Sequence, residues 1–208
     1  MAKIDVIAWD FDGVLNKNVV DHRFIWLDQM EAEKGYCSRS FMDQVIGDFA
    51  PVMAGEECLL DRLAPWLDHV GHDGDAEDFT HYWFNLDRYP DPVMHDVLEK
   101  TASAGITNVM ATNNEARRGR FVWHEMGFDQ RMHRLYTAGE MRKIKPHAAF
   151  FHHITDDLKV DPSRVLFVDD LEENIETART IGMHGHHFRR DQYDSLKSTL
   201  RSLVGEYF

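Results

Sequence analysis

Two carboxylates end an apolar run in VIAWDFDGVLN, residues 6–16. Asp10 and Asp12 are two positions apart, so on an extended chain their side chains point to the same side. Gly13 follows at once and allows the backbone to turn tightly. Two carboxylates in this arrangement can bind a hard cation, and one of them can also attack phosphorus. A turn that is acidic without a catalytic purpose is the alternative interpretation.

A second pair of acids, Asp169 and Asp170, ends the run RVLFVDD, and Asn174 follows about one helical turn later. Two adjacent acids after a buried strand repel each other and lose hydration, which is costly unless a cation compensates. This pair, far from Asp10 along the chain, is the strongest indication in the sequence of a divalent ion.

Two weaker motifs lie between the acid pairs. Thr112 and Asn113 end the run ITNVMATNN, where a hydroxyl and backbone N–H groups can hold phosphoryl oxygens. Lys145 precedes Pro146 at the start of a predicted helix, and it would add positive charge to a helix N-terminus, which attracts anions. Taken singly, a polar strand end and a solvated lysine explain these residues equally well.

The elements that position these motifs follow from three apolar runs, at 4–10, 106–114 and 164–170. The runs are continuous rather than alternating, which is typical of parallel strands buried on both faces. Helical patterns are predicted over 91–105, 115–126, 146–158, 172–181 and 195–204. Strands that alternate with helices predict an α/β fold with a Rossmann-like parallel sheet. Ligands bind such sheets beyond the carboxyl ends of the strands, where the polar endings of the three runs would meet.

Residues 17–88 break this alternation. Apolar residues at helical spacing, such as Phe24, Leu27 and Met30, predict about four helices inserted after the first strand. The predicted organisation is therefore an α/β core of residues 1–16 and 89–208 and a small helical cap of residues 17–88. The apolar stripes of the cap are expected to form its own core.

Some side chains of the cap should face the cleft and select the substrate. The sequence offers five candidates: His22, Arg23, Trp26, Arg39 and Trp83. Just past the second run, Arg117 and Arg118 are expected on the solvated face of a helix, and contact with the substrate is the alternative.

The bulk composition restricts the partners. The net charge of −13, from 23 basic and 36 acidic side chains, disfavours nucleic acid or an anionic membrane. A small anionic substrate remains compatible, because a local cation can invert the field inside one cleft. No apolar run approaches the roughly 20 residues of a membrane span, and Asp5 interrupts any signal-peptide core. Cys37 and Cys58, expected as buried free thiols, fit a reducing compartment. We therefore expect a cytoplasmic monomer or homodimer.

Together the motifs match a known pattern. D-F-D-G, T-N, K-P and D-D-x-x-x-N, in this order and with a helical insertion after the first, resemble the haloacid dehalogenase-like (HAD) hydrolase superfamily. The stretches EMRKIKPHAAFFHHI and VLFVDDLEENIETARTIGM look like the capped branch that holds sugar-phosphate phosphatases and the phosphatase domain of soluble epoxide hydrolases. The resemblance implies a HAD-like core and a Mg²⁺-dependent phosphoric monoester hydrolase. Its substrate would be a small phosphorylated metabolite such as a sugar phosphate.

The resemblance also implies a role for each motif. Asp10 would be the nucleophile that forms an aspartyl-phosphate. Asp12 would protonate the leaving oxygen and then activate water. Thr112 and Asn113 would hold the phosphoryl group, and Lys145 would neutralise its charge.

For the metal, the resemblance implies that Mg²⁺ is bound by the Asp10 carboxylate and the Asp12 backbone carbonyl. Asp170 would be the direct ligand from the last motif, with Asp169 nearby or acting through water. Asn174 would orient that loop.

Other activities on this fold remain to be weighed. A phosphomutase stays open, since it uses the same core and the same role of Asp12. A 2-haloacid dehalogenase is disfavoured, because that branch lacks the acid two positions after the nucleophile and needs no Mg²⁺. A phosphoacceptor signalling module carries its paired acids first in the chain, whereas here they come last. A catalytically silent regulator that binds a phosphorylated ligand is disfavoured because no motif is missing.

Overall fold

The structure, a computed structural model of the 208-residue chain, describes residues 3–21, 23–190 and 192–205. Its centre is a five-stranded parallel sheet in the order β3-β2-β1-β4-β5. The strands in chain order are β1 Val6–Trp9, β2 Thr107–Thr112, β3 Arg134–Thr137, β4 Val165–Asp169 and β5 His184–His187. The predicted α/β fold with a parallel sheet is confirmed.

The central strand β1 determines where the motifs meet. Val6 pairs with Thr107 of β2 on one side and with Val165 of β4 on the other. All four residues of β1 are buried, as its continuous apolar run predicts. Because the three strands are parallel and in register, the residues that follow them lie at the same edge of the sheet.

The helices of the inserted part pack beside this edge. Between β1 and β2 the chain forms α1 Trp26–Lys34, α2 Ser38–Phe41, α3 Ala50–Met53, α4 Leu59–His69 and α5 Ala76–Leu86, with a π-helical turn at Met42–Ile46 that continues α2. A short antiparallel pair joins Val19–Val20 to Arg23–Phe24. We call residues 17–88 the cap segment. Its described residues form five α-helices where the sequence predicts about four, because α3 is a single short turn without its own periodic signal.

The expectation that the apolar stripes of the cap segment form a core of their own is wrong: they pack on one another through aromatic rings, but they are continuous with the apolar core around Trp9 on one face of the sheet. The Phe41 ring meets the rings of Trp26, Trp66 and Trp83, with centroids 5.2, 5.0 and 5.2 Å away. Edge-to-face contacts of this kind add to the free energy of apolar burial. The division of the chain into two domains at residues 16 and 89 stays a prediction.

The remaining helices flank the sheet. They are α6 Pro92–Ser103, α7 Ala116–Arg120, α8 Ala138–Met141, α9 Ala148–Leu158, α10 Glu172–Thr180 and α11 Tyr193–Val204, with a π-helical turn at Phe121–Glu125 that continues α7. Asp91 caps α6 by accepting a hydrogen bond from the Val93 backbone N–H. The helix predicted from Pro146 begins two residues later, because the His147 N–H closes a turn onto the Ile144 carbonyl.

Two further expectations concern exposure. Cys37 and Cys58 are free thiols, but both are exposed, so the expectation that they are buried is wrong. Each lies at the entrance of a helix, before Ser38 and before Leu59, where the chain runs over the surface. In the described part of the chain, no helix combines the length and the apolar character needed to cross a bilayer.

Candidate active site

Three carboxylates converge at the carboxyl edge of the sheet. Asp10 follows β1, Asp169 ends β4 and Asp170 comes next, and each offers an oxygen within 4.8 Å of the others'. The Lys145 ammonium lies among them, 2.8 Å from Asp10 and 2.6 Å from Asp169. Lys145 is only 4% exposed, so its ammonium group interacts with these acids and not with solvent. Four of the predicted site residues therefore form one cluster.

Asp169 is held from several directions. Its Oδ1 accepts hydrogen bonds from the Leu171 backbone N–H at 2.8 Å and from the Asn174 side chain at 2.9 Å. Its Oδ2 accepts from Lys145. Asn174 thus lies on the acid pair, as the spacing DDxxxN predicts. With both oxygens engaged, Asp169 is placed to orient the loop, and Asp170 is the freer carboxylate.

The charges of the cluster do not balance. Burial raises the pKa of Asp10 well above its ordinary value; Lys145 opposes this effect, while Asp169 and Asp170 add to it. Burial and the neighbouring Asp169 raise the pKa of Asp170 to about 6. Burial would lower the pKa of Lys145, but its two carboxylate partners raise it instead. One lysine therefore faces three acids, and a divalent cation would offset the excess negative charge.

The donor set fits Mg²⁺, which prefers hard carboxylate and carbonyl oxygens. Gly13 shows how closely these groups approach the first loop. Its φ is +78°, and a Cβ atom built on it would lie 2.4 Å from Oδ2 of Asp170. The Asp170 carboxylate therefore rests against the backbone that directly follows Asp12, where the Asp12 carbonyl is expected to serve as a ligand.

The side chains of Asn113 and Thr112 have different hydrogen-bond partners. The Asn113 side chain clasps the Lys145 backbone: Oδ1 accepts from its N–H at 2.9 Å and Nδ2 donates to its carbonyl at 3.0 Å. The Thr112 hydroxyl accepts from the Asn114 side chain at 2.7 Å. Both residues line the same cavity as the acids. Asn113 therefore fixes the loop of the lysine, and its side-chain amide is committed to that task.

Asp12 belongs to a second buried network, which the sequence did not indicate. Arg118 donates to both carboxylate oxygens of Asp12, at 2.5 and 2.8 Å, and Asn18 donates at 2.7 Å. Burial would raise the pKa of Asp12, but Arg118 and the hydrogen bonds of Asn16 and Asn18 outweigh burial and hold it below its ordinary value. The Asp12 carboxylate is therefore fixed in one orientation.

Arg118 is 8% exposed, so the expectation of a solvated arginine is wrong for this residue. Its neighbour Arg117 does lie at the surface, where it pairs with Glu77 at 2.8 Å. Arg118 turns inward, where the side chain of Asn114, in the loop before α7, accepts a hydrogen bond from it.

Asp87 completes this network at the far end of the cap segment. It accepts from Asn18 at 2.8 Å and forms an ion pair with Arg118. Burial raises its pKa to about 7, with Arg118 opposing and Asp12 adding to the rise. Asn16 donates to the Asp87 carbonyl at 2.8 Å and accepts from the Tyr89 N–H at 2.7 Å. The two crossings between the cap segment and the sheet are thus joined by buried hydrogen bonds.

A cavity of about 670 Å³ connects these groups. It is lined by the predicted site residues on the sheet edge and by side chains of the cap segment. Among the five predicted cap residues, Trp26 and Trp83 line the cavity, and Arg23 and Arg39 do not. His22 lies outside the described residues.

The sequence was compared with protein families and with curated proteins. The sequence model of the haloacid dehalogenase-like hydrolase family matches residues 4–182. A sesquiterpene phosphatase from Aspergillus oryzae is 29% identical over 124 residues, which are 56% of this chain and 58% of that protein. A drimenol cyclase from Aspergillus calidoustus is 29% identical over 72 residues, 35% of this chain and 13% of that protein. The chain thus spans less than two thirds of either curated relative.

A solved structure shares the fold. A HAD family enzyme from Bacteroides thetaiotaomicron, in complex with magnesium and inorganic phosphate, superposes with a TM-score of 0.72 at 18% identity, and the match covers 91% of this chain and 96% of that one. At this identity the likeness concerns the architecture of the sheet and its helical insertion.

Proposed function

This chain belongs to the haloacid dehalogenase-like hydrolase family, and from that premise we propose that it is a Mg²⁺-dependent phosphatase acting on a small phosphomonoester. One observation carries the proposal: Asp10, Asp169 and Asp170 form a three-carboxylate cluster around a single buried lysine. Such a cluster suits a divalent cation and an anionic phosphoryl group, and displacement of halide from a 2-haloacid would not require that cation.

The proposed reaction begins with attack of an Asp10 oxygen on phosphorus. The bond from phosphorus to the leaving oxygen breaks, and Asp12 donates its proton to that oxygen, which departs as an alcohol. In the free enzyme Arg118 holds the pKa of Asp12 low. The arriving phosphate adds negative charge beside Asp12 and opposes this effect, which favours the protonated form that the first step needs.

In the second step Asp12 takes a proton from water, and the water oxygen attacks phosphorus. The bond to Asp10 breaks, so inorganic phosphate leaves and the Asp10 carboxylate is restored. Lys145 and the Thr112 hydroxyl hold the phosphoryl oxygens throughout. When bound, Mg²⁺ would supply the positive charge that lets one anion attack another.

The comparisons support the class of reaction. The Aspergillus oryzae relative is named as a sesquiterpene phosphatase, and the structural neighbour was solved with magnesium and phosphate. A 2-haloacid dehalogenase is disfavoured because Asp12 and the Asp169–Asp170 pair are all in place. Cytoplasmic location, a monomeric or dimeric state and the absence of nucleic-acid and membrane partners remain proposals.

The experiment that tests this function is release of inorganic phosphate from p-nitrophenyl phosphate with Mg²⁺ and with a chelator. Turnover that the chelator abolishes supports the proposal. Phosphate release also separates hydrolysis from a phosphomutase, which returns the phosphoryl group to an organic acceptor. No turnover with any phosphomonoester would favour the silent regulator.

We predict that Asp170→Asn has opposite effects on stability with and without metal. The pKa of Asp170 is raised to about 6, so its contribution to stability is complete below about pH 4 and is lost as the pH rises through 6. Without Mg²⁺ at pH 8, the variant should therefore be more stable than the wild type by about 1–2 kcal/mol. With saturating Mg²⁺ the order should reverse. Urea unfolding at pH 4 and pH 8, with metal and with chelator, measures both effects. If the difference in unfolding free energy between variant and wild type is the same with and without Mg²⁺, Asp170 is not a metal ligand.

A methyl group at Gly13 should disturb the metal site specifically. Gly13 and Gly71 both have positive φ, of +78° and +65°, so an alanine at either position is strained by about 1 kcal/mol. Only at Gly13 does the added Cβ meet Asp170, whereas nothing lies within 4 Å at Gly71. We expect Gly13→Ala to weaken Mg²⁺ binding by at least about tenfold and Gly71→Ala to leave it unchanged. Calorimetric Mg²⁺ titration compares them, and equal affinities would contradict the close approach of Asp170 to this loop.

A further inference from the structure

The part of the cavity that the cap segment lines is largely apolar. Most of the side chains it contributes are aromatic or aliphatic, among them Phe24, Trp26, Phe49, Met53, Trp83 and Phe84. Trp26, Trp83 and Phe84 are almost fully buried, whereas Phe24, Phe49 and Met53 are only partly buried. The leaving group of a phosphomonoester bound at Asp10 would therefore meet hydrocarbon surface.

The core side continues this surface. Leu171 lines the cavity directly after Asp170, and 45% of it is exposed, which is unusual for a large apolar side chain. Ile144, next to Lys145, lines the cavity as well. Apolar side chains thus flank two of the proposed catalytic residues, one before Lys145 and one after Asp170, so apolar surface begins immediately beside the phosphate position.

The charges of the lining exclude a second anionic group on the substrate. Within the described part of the chain, the cations that line the cavity are Lys145 and Arg118, and each is already paired with two carboxylates. Asp48 and Glu173 add further negative charge to the lining. A bisphosphate, a nucleotide or a phosphorylated acid would bring negative charge toward acids, with no free cation to receive it.

A sugar phosphate fits this lining poorly for a different reason. Its hydroxyl groups would leave water for aromatic and aliphatic faces that offer few hydrogen bonds, and unpaired polar groups are costly to bury. A hydrocarbon chain gains free energy from the same transfer. The volume of about 670 Å³ lies within the range of cavities that enclose whole ligands.

We propose that the substrate is a phosphomonoester of a long hydrocarbon alcohol, whose chain packs against the aromatic wall of the cap segment and Leu171. The inference rests on the proposed phosphatase activity. It replaces the expected sugar phosphate with an uncharged, apolar leaving group.

A chain-length series tests the inference on the intact enzyme with Mg²⁺. Phosphate release is measured for butyl, octyl and dodecyl phosphate, for glucose 6-phosphate and for p-nitrophenyl phosphate, below the concentrations at which micelles form. We expect kcat/KM to rise about threefold per methylene until the cavity is filled, and at least about 100-fold from butyl to dodecyl phosphate. Farnesyl phosphate, as a further arm, distinguishes an isoprenoid chain from a straight one.

The outcomes separate the two levels of the proposal. Suppose p-nitrophenyl phosphate is hydrolysed but kcat/KM does not depend on alkyl chain length, or glucose 6-phosphate is the preferred substrate. The proposal of an apolar substrate is then wrong, and the proposed phosphatase activity is unaffected. If p-nitrophenyl phosphate and every other ester are not hydrolysed, both the proposed phosphatase activity and the proposed apolar substrate are wrong.

Matched variants locate the effect in the cavity. Met53→Gln places a polar group of similar length on the wall, and we expect kcat/KM for dodecyl phosphate to fall about five- to tenfold while that for butyl phosphate changes less than about twofold. Val20→Gln is the control, since Val20 is also an exposed apolar residue but lies outside the cavity lining. Equal effects of the two variants on dodecyl phosphate would contradict the proposed chain site.

Discussion

Replacing Asp10 by asparagine should reduce kcat by at least about 10³-fold, because an amide cannot attack phosphorus to form the covalent intermediate. The fold should survive, since burial disfavours the ionised form of Asp10 and an uncharged group of the same shape removes that penalty. Phosphate release from p-nitrophenyl phosphate, together with circular dichroism, measures both results. Asp194→Asn is the control, because the Asp194 side chain is fully exposed.

Undiminished turnover by Asp10→Asn would remove Asp10 as nucleophile. A mass increase on Asp10 after rapid acid quenching of the wild type would support the aspartyl-phosphate directly. The same increase on Asp12 would exchange the two proposed roles.

The second large effect is expected at Arg118. Arg118→Met should lower the free energy of unfolding by about 3 kcal/mol, because Asp87 would stay buried and Asp12 partly buried without their common partner. Arg117→Met is a control at the adjacent position. Its exposed pair with Glu77 should contribute less than about 1 kcal/mol. Urea unfolding of the two variants measures the contrast, and equal losses would contradict the buried network.

Arg118 also holds the Asp12 carboxylate in one orientation. We therefore expect kcat of Arg118→Met to fall, while kcat of Arg117→Met stays near that of the wild type. Adding Asp87→Asn to Arg118→Met should restore part of the lost stability, since it removes one of the two unpaired charges. It should restore little activity, because Asp12 would still lack its guanidinium. A double variant as active as the wild type would show that the network acts on stability alone.

The sequence predicted which strand endings meet in the first cluster for a physical reason. Asp10, Thr112 and Asp169 lie at the ends of continuous apolar runs, and such runs form parallel strands whose carboxyl ends share one edge. Their meeting therefore depends on local patterns and one topological rule. Asn174 follows from the spacing DDxxxN, whereas Lys145 was assigned to the site through the resemblance to the family.

The second network could not be predicted in this way. Arg118 is 106 residues from Asp12 and 31 from Asp87 along the chain, and its local sequence, ARRGR, offers two adjacent arginines with no indication of which turns inward. Asn18 and Asp87 lie where the chain enters and leaves the cap segment, in stretches without periodic pattern. Their partnership arises only when the two crossings are brought side by side.

The sequence by itself determined the polar strand endings, the acid cluster and the helical insertion, because residue type and spacing are sufficient for local structure. Only the tertiary structure decided that Arg118 is buried between two acids and that Trp26, Trp83 and Leu171 share one apolar cavity with Asp10. Burial and neighbours are properties of the packed chain. A tryptophan at helical spacing packs equally well in a core or along a cavity until the opposite wall is known.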